Sequence, residues 1–219
     1  MTTTTAIDPG LLTLAQWLSP AYPLGAFAYS HGVESAIRAG WIATAADLEG
    51  WLGDLMQDGS GRSDAIFLSL AYRAENMADL LEIDARARAF APAAERLREG
   101  ERQGAAFVRT TAQVWGLDLP ALLLPVAVGR AARLMALDPG ATCALYLQSF
   151  LSSLVSAAVR LVPLGQTEGQ QVLAKLAPLC ARIAAEAAGA RWEDVYSNAF
   201  LSDIAAMTHE TLTPRLFQS

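Results

Sequence analysis

The sequence predicts an all-α fold: a single-domain helical bundle of about eight to ten helices over residues 1–219. Three observations carry that expectation. Apolar residues recur three and four positions apart along most of the chain, the spacing that puts them on one helix face. No run of β-branched residues alternates with polar ones, so no strand is expected. The punctuation is helical too, with aspartate–proline pairs and a threonine–aspartate box at starts, and glycine or proline at stops. A length of 219 residues suits one domain, and no internal repeat is visible.

Asp8-Pro9 reads as an N-cap followed by proline at the first helical position, opening a helix that runs to about Leu18 and stops at Ser19-Pro20. A loop with Pro23 and Gly25 follows, and the next helix starts near Ser30 and ends at Gly40. Thr44 and Asp47 resemble a capping box. Behind them Leu48, Trp51, Leu52, Leu55 and Met56 mark an amphipathic face, closed by Gly59 to Gly61. A helix from about Asp64 to Ala74 carries Phe67, Leu70, Ala71 and Ala74 on one face.

Residues 82–102 hold much of the charge. Glu82 with Arg86 and Asp84 with Arg88 are i,i+4 pairs; Glu95 with Arg98 and Glu99 with Arg102 are i,i+3 pairs. The stretch reads as a solvated helical face. Helix continues from Arg102 to Trp115. Asp118 to Pro120 restarts the chain into an apolar helix interrupted at Pro125, and Asp138-Pro139 opens an uncharged one. Pro163 to Gln166 breaks the chain, with Thr167 placed to cap the next helix. Val172, Leu173, Leu176, Cys180, Ile183 and Ala187 mark that helix's buried face, and Pro178 is expected to bend it. A last helix, about Ser202 to Glu210, leads into a tail, 208–219.

Hydrophobic residues make up 53% of the chain and charged ones 17%, which implies a large core, buried partner surface, or both. A net charge of −6 with no basic stripe argues against a nucleic-acid partner. Cys143 and Cys180 fall in apolar helical patterns and read as small core residues, which fits the reducing cytoplasm. The start, MTTTTAIDPG, lacks the basic region and apolar run of a signal peptide. Pro139 to Val159 carries no charge and is long enough to span a bilayer. However, Gln148, Ser149, Ser152, Ser153 and Ser156 form a polar stripe along it, so a packed central helix is the better reading and no membrane is expected.

Little in the chain points to catalysis or metal. His31 and His209 are the only histidines and, with the two cysteines, make no close ligand pairs, so no metal site is expected within one chain. A site formed by either histidine meeting its copy across a dimer axis stays open. Lys175, the only lysine, lies in no phosphate-binding loop; G-x-G-x-x-G and G-x-S-x-G are absent. Ser30 and His31 are adjacent and, on a helix, would point about 100° apart, which precludes a nucleophile–base contact.

Three segments stand out. In PLGAFAYSHGVESA at 23–36, Phe27 and Tyr29 sit where loop becomes helix, and Ser30 and Glu34 share a helix face. Physics alone reads this equally as a capped helix with two buried aromatics. PLGQTEGQ at 163–170 reads first as a structural turn. In MTHETLTPRLFQS at 207–219, Arg215 follows Pro214 beside Leu216 and Phe217. It is either a frayed end or an anchor that orders on binding.

Together with LAQWLSPAYPLG at 14–25 and SFLSSLVSAAVRLVPLGQTEGQ at 149–170, these segments resemble the urease accessory protein F family, UreF. The resemblance covers nearly the whole chain, more weakly between 75 and 135. It implies an all-helical cytosolic homodimer without a catalytic site or cofactor. It also implies binding to the accessory protein UreD (called H in some systems) and the GTPase UreG, in an assembly that delivers nickel to apo-urease. On this view the tail orders against the UreD-type partner. The contact residues fall at Phe27, Tyr29, Ser30, His31, Glu34, His209, Glu210, Arg215, Leu216 and Phe217. The tail departs from the family pattern at Thr208 and Gln218, where arginine is common, and at Leu212 and Thr213, where a glutamine–aromatic pair is common. Two other functions remain open: a GTPase-activating protein that supplies an arginine to UreG, and an uncharacterised all-α enzyme.

Overall fold

The computed structural model describes residues 8–219. The reading of the first seven residues as lacking a leader lies outside them. Ten α-helices and two 3-10 turns form the described chain, with no strand among these residues. The helices are α1 (Pro9–Trp17), α2 (Val33–Arg38), α3 (Ala45–Asp58), α4 (Ser60–Arg73), α5 (Met77–Ala89), α6 (Ala94–Trp115), α7 (Leu124–Leu134), α8 (Pro139–Leu161), α9 (Gln166–Ala187) and α10 (Phe200–His209). The all-α bundle is therefore as the sequence predicts.

Local chemistry fixes most starts. Asp8 accepts from Gly10 N and Asp138 from Ala141 N, each followed by proline in the first turn. Thr44 and Asp47 close the expected capping box. Five expectations are corrected. The helix after Ser30 begins only at Val33, because His31 and Gly32 take positive φ, 53° and 77°, and turn the chain first. α4 begins at Ser60, not near Asp64, since Gly59 alone makes the break. Pro125 does not interrupt α7 but lies in its first turn, where its missing N–H costs nothing. Gly165 rather than Thr167 stands at the N-cap of α9, where Glu168 turns back onto Gly165 N at 2.8 Å. The last helix begins at Phe200 and ends at His209.

One apolar core runs through the molecule. α4 packs most extensively on α7, and α8 on α9. Trp17 of α1 meets Phe107 and Trp115 of α6 edge-on, with ring centroids 5.3 and 5.6 Å apart, which pins the first helix to the sixth. α8 has the length and composition of a membrane span, yet Cys143, Tyr146, Leu147, Leu151, Leu154, Val155, Ala157 and Ala158 are buried against neighbouring helices. Cys143 and Cys180 are buried and free.

Candidate functional site: a buried carboxylate clasp

The 30–34 motif, helix α6 and the tail meet in one polar cluster inside the fold. Three carboxylates form it: Glu34 from α2, and Glu95 and Glu99 one turn apart on α6, all buried. The tail supplies most of the donors to the first two. Glu34 accepts from the backbone N–H of Leu216 at 2.9 Å and of Phe217 at 2.9 Å, and its Oε2 lies 3.4 Å from His209 Nε2. Glu95 lies 2.8 Å from His209 Nδ1 and pairs with the Arg215 guanidinium. Glu210 in turn accepts from Glu95 N at 3.1 Å, placing an acid at the start of α6 where the helix dipole favours it.

Glu99 faces the other way. His31 Nε2 lies 2.6 Å from its Oε1, Gln103 donates to it at 2.9 Å, the Ser219 hydroxyl donates at 2.7 Å, and Arg96 pairs with it. Ser30 joins the tail directly: its Oγ and N both donate to Ser219 O, at 2.5 and 2.8 Å, and its Oγ also accepts from Glu34 N. Gln218 N donates to Ala28 O at 2.7 Å. Arg160 of α8 donates to Phe27 O at 3.0 Å and lies over the Phe217 ring at 4.6 Å. Arg38 reaches the Pro214 carbonyl.

The electrostatics follow from this wiring. Burial alone would raise all three carboxyls, because it penalises charge. For Glu34 the Leu216 and Phe217 amides with His209 outweigh burial and hold the carboxyl below its usual range. For Glu95 the outweighing partners are His209 and Arg215. Glu99 is driven furthest, to about 2, by Arg96, His31 and Ser219 against burial. Burial, with Arg96 beside it, lowers His31, while Glu99 opposes. A neutral His31 donating Nε2–H to Glu99 leaves Nδ1 as a bare acceptor, and that atom is buried with no partner among the described residues.

His31 and Glu99 also line a cavity of about 120 Å³ that reaches Tyr29, Asp64, Tyr146, Ser149 and Ser153. Tyr146 donates to Asp64 at 2.7 Å, and burial lifts Asp64 to about 6 against that hydrogen bond. No group of three His, Cys, Asp or Glu side chains among the described residues is arranged to hold a metal ion.

The structure brings together eight of the ten residues the sequence singled out: Ser30, His31, Glu34, His209, Glu210, Arg215, Leu216 (through its amide) and Phe217. Tyr29 is buried beside them, lining the cavity. Phe27 is not the buried aromatic its helix junction suggested; it is 50% exposed, as is Leu216 at 76%. Ser30 and Glu34 do not share a helix face, because Ser30 precedes the helix and receives its backbone. The tail is neither frayed nor free: Phe217 is 5% exposed on the chain's own body. His209, at 0% exposure, is sealed inside one chain and cannot meet a copy of itself.

Residues 82–102 are the largest revision. Glu82–Arg86 and Asp84–Arg88 form as expected. Glu95 and Glu99 do not pair outward with Arg98 and Arg102; they turn inward to the tail and His31. A signal for this exists in the sequence. Stepping back by fours along α6 from buried Thr111 and Phe107 lands on Gln103, Glu99 and Glu95, so the buried ridge runs straight into the acids. Asp64 and Tyr146 are 82 residues apart and carried no such signal.

Outside the clasp, α10 turns an apolar face to solvent. Phe200 is 70% exposed, and Leu201, Ile204 and Met207 are exposed with it at i, i+1, i+4 and i+7. Gly32 lets this helix sit down: a Cβ there would fall 2.7 Å from Ala206 N.

Fold and site together define an all-α protein whose buried polar groups hold its C-terminal tail against the body and whose last helix leaves an apolar face exposed. The UreF family model matches residues 42–177. A urease accessory protein UreF from Ruegeria pomeroyi is 49% identical over 98% of this chain and 99% of its own length. One from Cereibacter sphaeroides is 53% identical over 97% of this chain and 100% of its own, and one from a Jannaschia species is 45% identical over 96% and 94%. The chain belongs to the UreF family of urease accessory proteins.

Proposed function

We propose that this chain is a chaperone of urease maturation that acts as a scaffold in the cytoplasm. As a homodimer it binds a UreD(H)-type accessory protein and the GTPase UreG. The assembly inserts nickel into apo-urease with GTP, and this chain contributes surface rather than catalysis, cofactor or metal ligands. The observation that carries the reading is the outward face of Phe200, Leu201, Ile204 and Met207, on a helix whose last residue, His209, is held by the buried carboxylates Glu34 and Glu95. A soluble chain has little reason to expose that much contiguous apolar side chain unless a partner covers it.

Co-purification with a UreD-type partner tests this. Ile204→Asp is expected to weaken retention by about 2 kcal/mol or more, since it puts a charge into the centre of the contact. Arg215→Ala is expected to weaken it by a similar amount, roughly 2 kcal/mol, acting through the tail. Failure of the native chain to retain the partner would sink the scaffold reading.

The arginine-supplying alternative is separable. An arginine acting in the GTPase site raises turnover by about 10³ or more. Arg215 is bound to Glu95 and faces the His209 carbonyl, which speaks against Arg215 as the supplied arginine. UreG turnover with and without this chain is expected to differ by far less than that factor.

A further inference from the structure

We infer that the linker between α9 and α10, residues 188–199, is a fixed strap: side chains of α4 and α5 and the end of α3 hold it to the bundle as far as Asn198, so the C-terminal segment departs from one set point wherever its own helix comes to rest. The strap stands without the scaffold reading; only its consequence for partner capture rests on that reading.

The linker has little structure of its own. The only regular element between Ala187 and Phe200 is one 3-10 turn, Trp192–Asp194. As a flexible chain, a segment of this length would let the start of α10 wander by roughly 20 Å. It is tied down along its length instead. Arg73, steered by its Nε donating to Ser69 O at 3.2 Å, donates to the Ala190 carbonyl just past the end of α9. The Arg86 guanidinium, held by Glu82, lies 4.4 Å from the centre of the Trp192 ring. Arg62 pairs with Glu186 at 2.9 Å and lies 5.1 Å from the Tyr196 ring centre, so one cation joins the last turn of α9 to the linker. Asn198 N donates at 2.6 Å to the carbonyl of Asp58, the last residue of α3.

These contacts suit a segment that runs over the surface. A guanidinium over a ring covers one aromatic face while its edges stay hydrated. The ends of the strap are buried, at Ala190 and Ala199. Gly59 admits the far end: a Cβ there would fall 2.9 Å from the Ala199 Cβ. None of these anchors lies on α2 or α6, whereas α10 packs chiefly on those two helices. The two sets of contacts meet at Ala199 and can be made or broken separately. A partner that takes up the segment beyond Ala199 therefore meets a helix tethered close to the bundle. The linker is ordered when the bundle folds, not when the partner binds.

Hydrogen exchange on the full chain tests this. In the native chain the Asn198 amide is expected to exchange about tenfold or more slowly than in an unstructured peptide. The double variant Arg73→Met with Arg86→Met keeps the stems and removes the cations. It is expected to speed Asn198 exchange by about tenfold while core amides of α4 and α7 stay slow. Arg86→Met alone, at a half-exposed side chain, is expected to speed it by roughly threefold and covers the case in which the double variant fails to fold. Lys175→Met, in an exposed ion pair away from the linker, is expected to change nothing. Gly32→Ala disturbs the seat of α10 and no strap contact, so Asn198 is expected to stay slow there. An unprotected Asn198 in the native chain, undiminished protection in the arginine variants, or protection lost in Gly32→Ala while α4 and α7 amides stay slow would overturn the inference. With the UreD-type partner added, the double variant is expected to retain it roughly tenfold less well. Equal retention would overturn the consequence for capture. Failure of the native chain to retain that partner speaks only to the scaffold reading, because the exchange result stands without it.

Discussion

Gly32→Ala is expected to destabilise the protein by roughly 3 kcal/mol and to lift α10 from the body. Two costs add. The backbone at Gly32 has φ +77°, a left-handed conformation that a Cβ penalises by about 1 kcal/mol. The Cβ would also lie 2.7 Å from Ala206 N and 2.8 Å from Ala205 C, backbone atoms that can yield only if the helix moves, for about 2 kcal/mol more. Gly40 isolates the first cost: its φ is +76° and nothing lies within 4 Å of an added Cβ. Urea unfolding of both variants measures the difference. Gly40→Ala is expected to lose about 1 kcal/mol and Gly32→Ala clearly more, with α10 amides exchanging early. Equal losses in the two variants would refute the idea that α10 rests on this glycine.

The contrast between these two glycines says what the sequence could and could not reveal. Both end or begin a helix, both look like turn residues, and only three-dimensional packing distinguishes them. The same holds across the site. Helix starts at Asp8, Thr44 and Asp138 were legible because a cap is a local bond between residues two or three apart. Ser30, His31, Glu34, His209 and Arg215 stood out because they fall in the two end segments, 23–36 and 207–219, that carry the family resemblance. Their partners did not stand out. Glu95 and Glu99 sit among arginines at the spacing of surface pairs, and the local rule that assigns such pairs to solvent was overridden by a tail arriving from more than a hundred positions away. Asp64 and Tyr146 meet only because α4 and α8 pack together. The exposed face of α10 was hidden for the opposite reason. Phe200, Leu201, Ile204 and Met207 have the spacing of a buried stripe, and spacing cannot tell which stripe a protein leaves for a partner.

Glu99→Gln is expected to lower stability by about 3 kcal/mol at neutral pH and to flatten the acid limb of the stability profile. Glu99 is 2% exposed and carries four partners from three parts of the chain. Its carboxyl moves from the ordinary 4.5 to about 2 on folding, because Arg96, His31 and Ser219 outweigh burial. The sign follows directly. The folded state releases this proton more readily than the unfolded chain, so the stabilisation is fully present above 4.5 and fades as pH falls towards 2. A depression of that size corresponds to about 3 kcal/mol. Glutamine keeps the shape and one acceptor but loses the charge. Arg96, with 13% of its side chain exposed, is then left almost dry without its counter-ion, a change that carries the larger cost of breaking a buried pair rather than the smaller worth of making one. Glu34 and Glu95 are also held below their usual range and add to acid sensitivity in the native chain, so the measured slope in Glu99→Gln becomes shallower rather than flat. Urea unfolding of both proteins between about pH 2 and 5 is the measurement. Parallel profiles, displaced by a constant, would mean that Glu99 contributes packing and hydrogen bonds but not its charge. Converging profiles at low pH are the expected result, because there the native carboxyl is protonated and the two side chains become nearly the same.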